Sequence, residues 1–146
     1  MSVSKGLIGI GYEGLTIADL VSRLRIRGVS LVVDVRLNAI SRKRGFSKKA
    51  LSAALADSGI EYLHRPALGN QRDNRAGYAE TVSSEALSAR QNFREALKAT
   101  AALEALEELG QLAKQRTVAV FCYEADQHHC HRQQVIEAVA SLVPAG

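Results

Sequence analysis

A chain of 146 residues, 47% hydrophobic and 23% charged, has ordinary globular composition, which excludes a disordered or fibrous protein and suits a single domain over residues 1–146. Its apolar runs fall far short of the ~20 residues of a membrane span, so no membrane association is expected. The net charge of +4 is modest, but Arg36, Arg42, Lys43, Arg44, Lys48 and Lys49 fall within fourteen residues that hold no Asp or Glu. Such a run is either a solvated loop or an attractor for phosphate and nucleic acid.

Met1 to Gly6 carries no signal-peptide core, and two cysteines, Cys122 and Cys130, are too few for a disulfide scaffold. Both point to a reducing cytoplasm.

Leu7 to Gly11 reads as a short buried strand closed by a Tyr12-Glu13-Gly14 turn. Thr16, with Asp19 three residues on, predicts a helix N-terminus, and Ile17, Leu20, Val21 and Leu24 supply its apolar stripe up to Gly28. Leu31 to Val35 is an apolar, β-branched run of the kind covered on both faces of a parallel sheet. Ser47 is placed to cap a second helix through Leu51, Ala54 and Leu55, ending at Gly59, and Ile60 to Leu63 gives a third strand. Pro66 to about Thr81 is polar and contains glycine, a long connection of the sort that forms binding loops. Ser84 to Gln115 predicts helix, broken near Thr100 or Gly110. Thr117 to Cys122 is a fourth strand, followed by a helix from near Cys130 through Val135, Ile136, Val139 and Leu142.

Strands alternating with helices predict a three-layer α/β/α fold with a mainly parallel, roughly four-stranded sheet. In such sheets the strand C-termini share one rim, where ligands bind. That rim would gather Tyr12, Asp34, Arg36, His64, Arg65, Cys122 and Glu124 from positions more than a hundred residues apart.

Five segments carry a resemblance: Gly9-Ile10-Gly11-Tyr12; Val33-Asp34-Val35-Arg36; Ser41-Arg42 with Gly45-Phe46-Ser47; Leu68-Gly69-Asn70; and Cys122-Tyr123-Glu124 leading to Cys130-His131-Arg132. Together, in this order, they resemble the DUF488 family, small bacterial and archaeal proteins of unknown function. Members often have Gly-His-Ser where this chain has Gly11-Tyr12-Glu13, so no role for a histidine there carries over. The resemblance brings no activity with it, and the chemistry rests on the residues.

Asp34 and Arg36 flank Val35 and point to one face. Asp34 is a candidate general base, metal ligand or orienter of Arg132, or a plain loop cap. His64 and Glu124 are the other candidates for proton transfer, and Arg36, Arg42, Arg65, Arg132 and Tyr12 for holding an anion. Arg132, at a loop-to-helix boundary, is suited either to a phosphate or to pairing with Asp34 or Glu124. The phosphatase pattern Cys-x5-Arg fails, because position 128 is His and the arginine arrives at 132. Gly9-x-Gly11-x-x-Gly14 follows a strand too short, and sets Glu13 too near a pyrophosphate, for a dinucleotide fingerprint.

The Cys-x2-4-Cys pairs of zinc sites are absent, and no cofactor is expected. Cys122, Cys130 and His131 form the alternative metal set, with Cys122 otherwise a small buried hydrophobe. The chain is thus expected to be a small enzyme or ligand-binding protein acting on a phosphate-bearing small molecule or nucleic-acid end. A non-catalytic nucleic-acid module using residues 36–49 and a Cys/His metal protein are the alternatives. Nothing in the sequence specifies an oligomeric state.

Overall fold

The computed structural model describes residues 6–142; Met1 to Lys5, on which the signal-peptide expectation falls, lie outside the described residues. Strands β1 (Gly6–Gly11), β2 (Leu31–Asp34), β3 (Glu61–His64) and β4 (Thr117–Cys122) pair in parallel in the order β1-β4-β2-β3. The register sets Gly11 beside Cys122, and Asp34 beside both Phe121 and His64. The residues that end the strands therefore converge on one rim.

Helices α1 (Ile17–Ile26) and α2 (Lys48–Asp57) cover one face; α3 (Ser84–Ala96), α4 (Thr100–Gln115) and α5 (Arg132–Leu142) cover the other. Strand alternation decides which side chains meet which layer. Leu31, Val33, Val35, Val118, Val120 and Cys122 pack with Phe93, Leu106, Leu109 and Val135. Val32, Ala119 and Phe121 pack with Leu20, Leu24, Phe46, Leu51 and Leu55. β2 is buried along its whole length, which is why its sequence is continuously apolar until Asp34. The expected three-layer α/β/α architecture with a parallel four-stranded sheet is the one formed. Among the described residues no helix is long and apolar enough to cross a membrane.

The Thr16–Asp19 capping box forms in both directions, with Thr16 Oγ1 accepting from the Asp19 amide at 3.1 Å and Asp19 Oδ2 accepting from the Thr16 amide at 3.0 Å. Ser47 takes the N-cap position of α2, but its hydroxyl does not cap: it accepts from the Ser41 amide (2.9 Å) and donates to the Ser41 carbonyl, closing the basic loop on itself. The helical stretch breaks between Ala96 and Thr100, while Gly110 stays buried inside α4. The long polar connection folds into short 3-10 turns at Pro66–Leu68, Arg72–Asn74 and Ala76–Ala79, pinned by buried Leu68, Asn70 and Tyr78.

Gly11 is required by close approach. A Cβ there would lie 1.7 Å from the Glu124 carbonyl oxygen, because the Tyr12 and Glu13 amides donate to the Cys122 and Tyr123 carbonyls at 3.2 and 2.8 Å. Since backbone occupies that space, Gly11→Ala is expected to destabilise the protein by about 2–3 kcal/mol. Gly28→Ala, at a φ of +71° with open space around it, should cost about 1 kcal/mol. Urea unfolding of the two variants checks the order, which open space at Gly11 would reverse or level.

Candidate functional site

The rim is built around Asp34, which is fully buried. Its carboxylate accepts from Arg36 Nε (2.9 and 3.1 Å), Arg36 Nη2 (2.7 Å), the Arg36 amide (3.1 Å) and the Tyr62 hydroxyl (2.6 Å). Burial, reinforced by this bond to Asp34, pushes the Tyr62 hydroxyl well above its usual pKa. The Arg36 guanidinium lies over the rings of Tyr12 and Phe121, 5.4 and 5.1 Å from their centroids, donates to the Phe46 carbonyl at 2.7 Å, and reaches the Tyr12 hydroxyl at a long 3.4 Å. Burial opposes its charge, but the hydrogen bonds and charge of Asp34 prevail and raise its pKa. His64 Nε2 donates to the Arg36 carbonyl at 2.8 Å, the carbonyl having only acceptor capacity.

Two strand-end loops frame a cavity of about 160 Å³. Residues after β2 (Arg36, Asn38, Ile40) form one wall and the end of β4 with the residues that follow it (Cys122 to Glu124, with His129 to His131) the other; Asn70, Arg75 and Tyr78 from the long connection complete it. β2 and β4 are neighbours whose following helices lie on opposite faces, and such a switch in direction opens a crevice at the carboxyl edge.

Of the anticipated site residues, Arg36, Tyr12, Glu124, Cys122, Cys130 and His131 share this cavity. Asp34 sits behind Arg36, all of its acceptor capacity turned inward. His64 joins the same network through the Arg36 carbonyl without lining the cavity. Arg65 does not converge with them: it makes a bidentate pair with Glu108 of α4 at 2.6 and 2.8 Å, which raises its own pKa and lowers that of Glu108. Arg42 is exposed and makes no ion pair among the described residues.

Arg132 is 1% exposed and pairs with neither Asp34 nor Glu124. Its Nη1 donates to the Glu124 carbonyl (2.6 Å) and to Cys122 Sγ (3.1 Å), and its Nη2 to the Ala125 carbonyl (3.1 Å); burial lowers its pKa. It fastens the turn after β4 from beneath, so of its two anticipated roles, holding an anion or pairing with Asp34 or Glu124, the second is replaced by bonds with backbone carbonyls.

The glycines near β1 act similarly. Gly9 and Gly11 are covered by the Gln127 side chain and the Glu124–Ala125 backbone. Beside them a second cavity of about 660 Å³ opens, lined by Gly9, Gly11, Gly14, Arg23 and Arg132.

Cys122 and Cys130, which the sequence suggests are free thiols, are joined in a disulfide, because the 3-10 turn Gln127–His129 folds the chain back. His131 is buried, its Nε2 2.9 Å from the Val35 carbonyl. Burial depresses its pKa to about 4, so the ring is neutral near pH 7. Sequence reasoning missed Arg75, Tyr78 and His129 as cavity residues; the length and polarity of the 66–81 connection was the signal for the first two.

A parallel three-layer protein with a polar pocket at the carboxyl rim of its sheet is therefore defined. The family model described as a domain of unknown function, DUF488, matches residues 16–139, and the chain belongs to that family. No curated protein and no solved structure matches the chain.

Removing the Asp34 charge leaves a buried guanidinium without its counter-ion. Asp34→Asn is expected to destabilise the protein by about 3–5 kcal/mol, and Arg65→Ala, whose pair with Glu108 is half-exposed, by about 1 kcal/mol or less. Denaturant midpoints of the two variants, with unchanged slopes, check this difference.

Proposed function

We propose that the rim pocket binds a phosphate-bearing ligand, a nucleotide or the end of a nucleic acid, whose phosphates extend along the basic segment after β2. The observation that carries this reading is a set of uncompensated cations beside the pocket. Arg42, Arg44, Lys48 and Lys49 are exposed, and none makes an ion pair among the described residues. The segment that holds them starts at Leu37 and Asn38, which line the pocket. Clustered free cations raise the local concentration of a polyanion.

Inside the pocket, Arg75 is the cation with donors to spare. Its Nε serves the Asn70 carbonyl at 3.1 Å, and it makes no ion pair among the described residues. Arg36, by contrast, has its donors spent on Asp34, Phe46 and Tyr12, and serves as a fixed positive wall. Arg65 and Arg132, with their partners already in place, have no part in the reading; the anion contacts pass to Arg75, with Arg42 on the approach.

Glu124 is the one carboxylate among the residues lining the pocket, and His129 lines it as well. These two are placed for any proton transfer, whereas Asp34 and His64 position Arg36. A purely binding role, with no reaction, is favoured by the full engagement of Asp34. The two readings part on Glu124→Gln: it abolishes turnover in an enzyme and leaves a binding module's affinity intact.

A panel of inorganic phosphate, nucleoside mono- and triphosphates and a short 5′-phosphorylated oligonucleotide is expected to raise the melting temperature. Arg75→Ala should weaken the best ligand about tenfold, as expected for removal of one charge-assisted hydrogen bond. Arg42→Glu with Arg44→Glu should flatten the salt dependence of oligonucleotide binding by roughly one in slope for each phosphate left without its cation. No stabilisation by any member of the panel at millimolar concentration would remove the proposal.

A further inference from the structure

The pocket floor carries a group of side chains that phosphate recognition leaves unused. The sulfurs of Cys122 and Cys130 and a ring nitrogen of His131 all lie within 4.8 Å of one another, and all three residues are buried yet line the pocket. They come from two places, the last residue of β4 and the start of the turn into α5, brought together by the 3-10 turn between them.

The histidine is oriented in the manner of a ligand. Its Nε2 faces the Val35 carbonyl at 2.9 Å; a carbonyl only accepts, so Nε2 carries the ring proton and Nδ1 keeps its lone pair. Nδ1 lies 3.7 Å from Cys130 Sγ. Nitrogen and sulfur ligands on one tetrahedral zinc, with bonds of ~2.1 and ~2.3 Å, are separated by ~3.6 Å. A backbone carbonyl that fixes the tautomer of a metal-bound imidazole is the usual outer partner of such a ligand.

Cys122 has a matching outer partner. Arg132 Nη1 donates to its sulfur at 3.1 Å, which orients that sulfur from the side away from the pocket wall. Glu124 Oε1 stands 3.8 Å from the same sulfur, on the pocket wall.

We infer that, when the Cys122–Cys130 disulfide is reduced, the two thiolates and Nδ1 of His131 bind a zinc-class divalent cation at the pocket floor, with the fourth coordination position open to the pocket. The disulfide and the metal exclude each other, because both use the same two sulfurs. Reduction by a thiol reductant consumes two reductant thiols, yields two cysteine thiols and leaves the reductant as its disulfide. Metal binding then releases the two thiol protons. Three protein ligands with an open position is the arrangement of zinc sites that act on a bound molecule, whereas structural sites are closed by a fourth. These are the three residues of the alternative metal set read from the sequence, although Cys122 and Cys130 are eight residues apart and lack the close spacing of common zinc motifs.

The inference does not rest on the phosphate reading, and its test uses the metal alone. The full chain, reduced with a phosphine and freed of metal, is titrated anaerobically with cobalt(II). One equivalent is expected to produce the near-ultraviolet thiolate charge-transfer band and the intense visible bands of tetrahedral cobalt, both erased by one equivalent of zinc. The same protein oxidised with diamide should show neither. This comparison needs no variant, so misfolding cannot obscure it. Cys130→Ser should weaken cobalt binding at least tenfold, and His131→Gln should alter the visible bands. Absence of the charge-transfer band in the reduced protein, or equal bands in both redox states, would overturn the inference; bands unchanged in His131→Gln would remove Nδ1 from the ligand set.

Discussion

The buried ion pair of Asp34 and Arg36 is the constraint on which the rim depends. Two charges taken out of water are tolerated only with close geometry and with their remaining hydrogen-bonding capacity satisfied. Here every one of those obligations is met by a different part of the chain. Tyr62 from β3 completes the carboxylate, the Phe46 carbonyl from the basic loop completes the guanidinium, and the rings of Tyr12 and Phe121 lie against its face. His64 then takes the Arg36 carbonyl. The pair thus fixes the relative position of four strand ends and of the loop that carries the free cations.

Most of the fold was legible because its signals are local. The Thr16–Asp19 box, the apolar run of Leu31 to Val35 and that of Thr117 to Cys122 each specify an element by short-range chemistry, and alternation of strand and helix then leaves few topologies. What was misjudged depended on tertiary competition. Ser47 has an N-cap's identity and position, yet Ser41 takes its hydroxyl. The polar 66–81 connection reads as a long binding loop, and its order comes from three buried anchors, Leu68, Asn70 and Tyr78, which a local pattern does not reveal.

The site was legible as a location rather than as a set of roles. Parallel strands must end on one side, so Tyr12, Arg36, Cys122 and Glu124 could be placed together from topology. Whether an arginine faces a ligand or a partner is decided by what lies beside it. Arg65 has Glu108 within reach from α4, and Arg132 has the Glu124 and Ala125 carbonyls; neither neighbour is apparent from sequence spacing. Arg75, in an unremarkable polar stretch, keeps its charge uncompensated because no acid among the described residues pairs with it. The cysteines followed the same logic, since a gap of eight residues says nothing until a tight turn brings their sulfurs together.

The mouth of the pocket has a character different from its interior. Ile40 and Tyr123, which line it, are 77% and 46% exposed, while the anchored 66–81 connection forms a wall held by buried side chains instead of a swinging flap. An arriving molecule therefore meets two exposed apolar side chains and the exposed Arg42, Arg44 and Arg75 at the same entrance. A molecule that joins an apolar portion to an anionic one finds a match for each of them on that one doorstep.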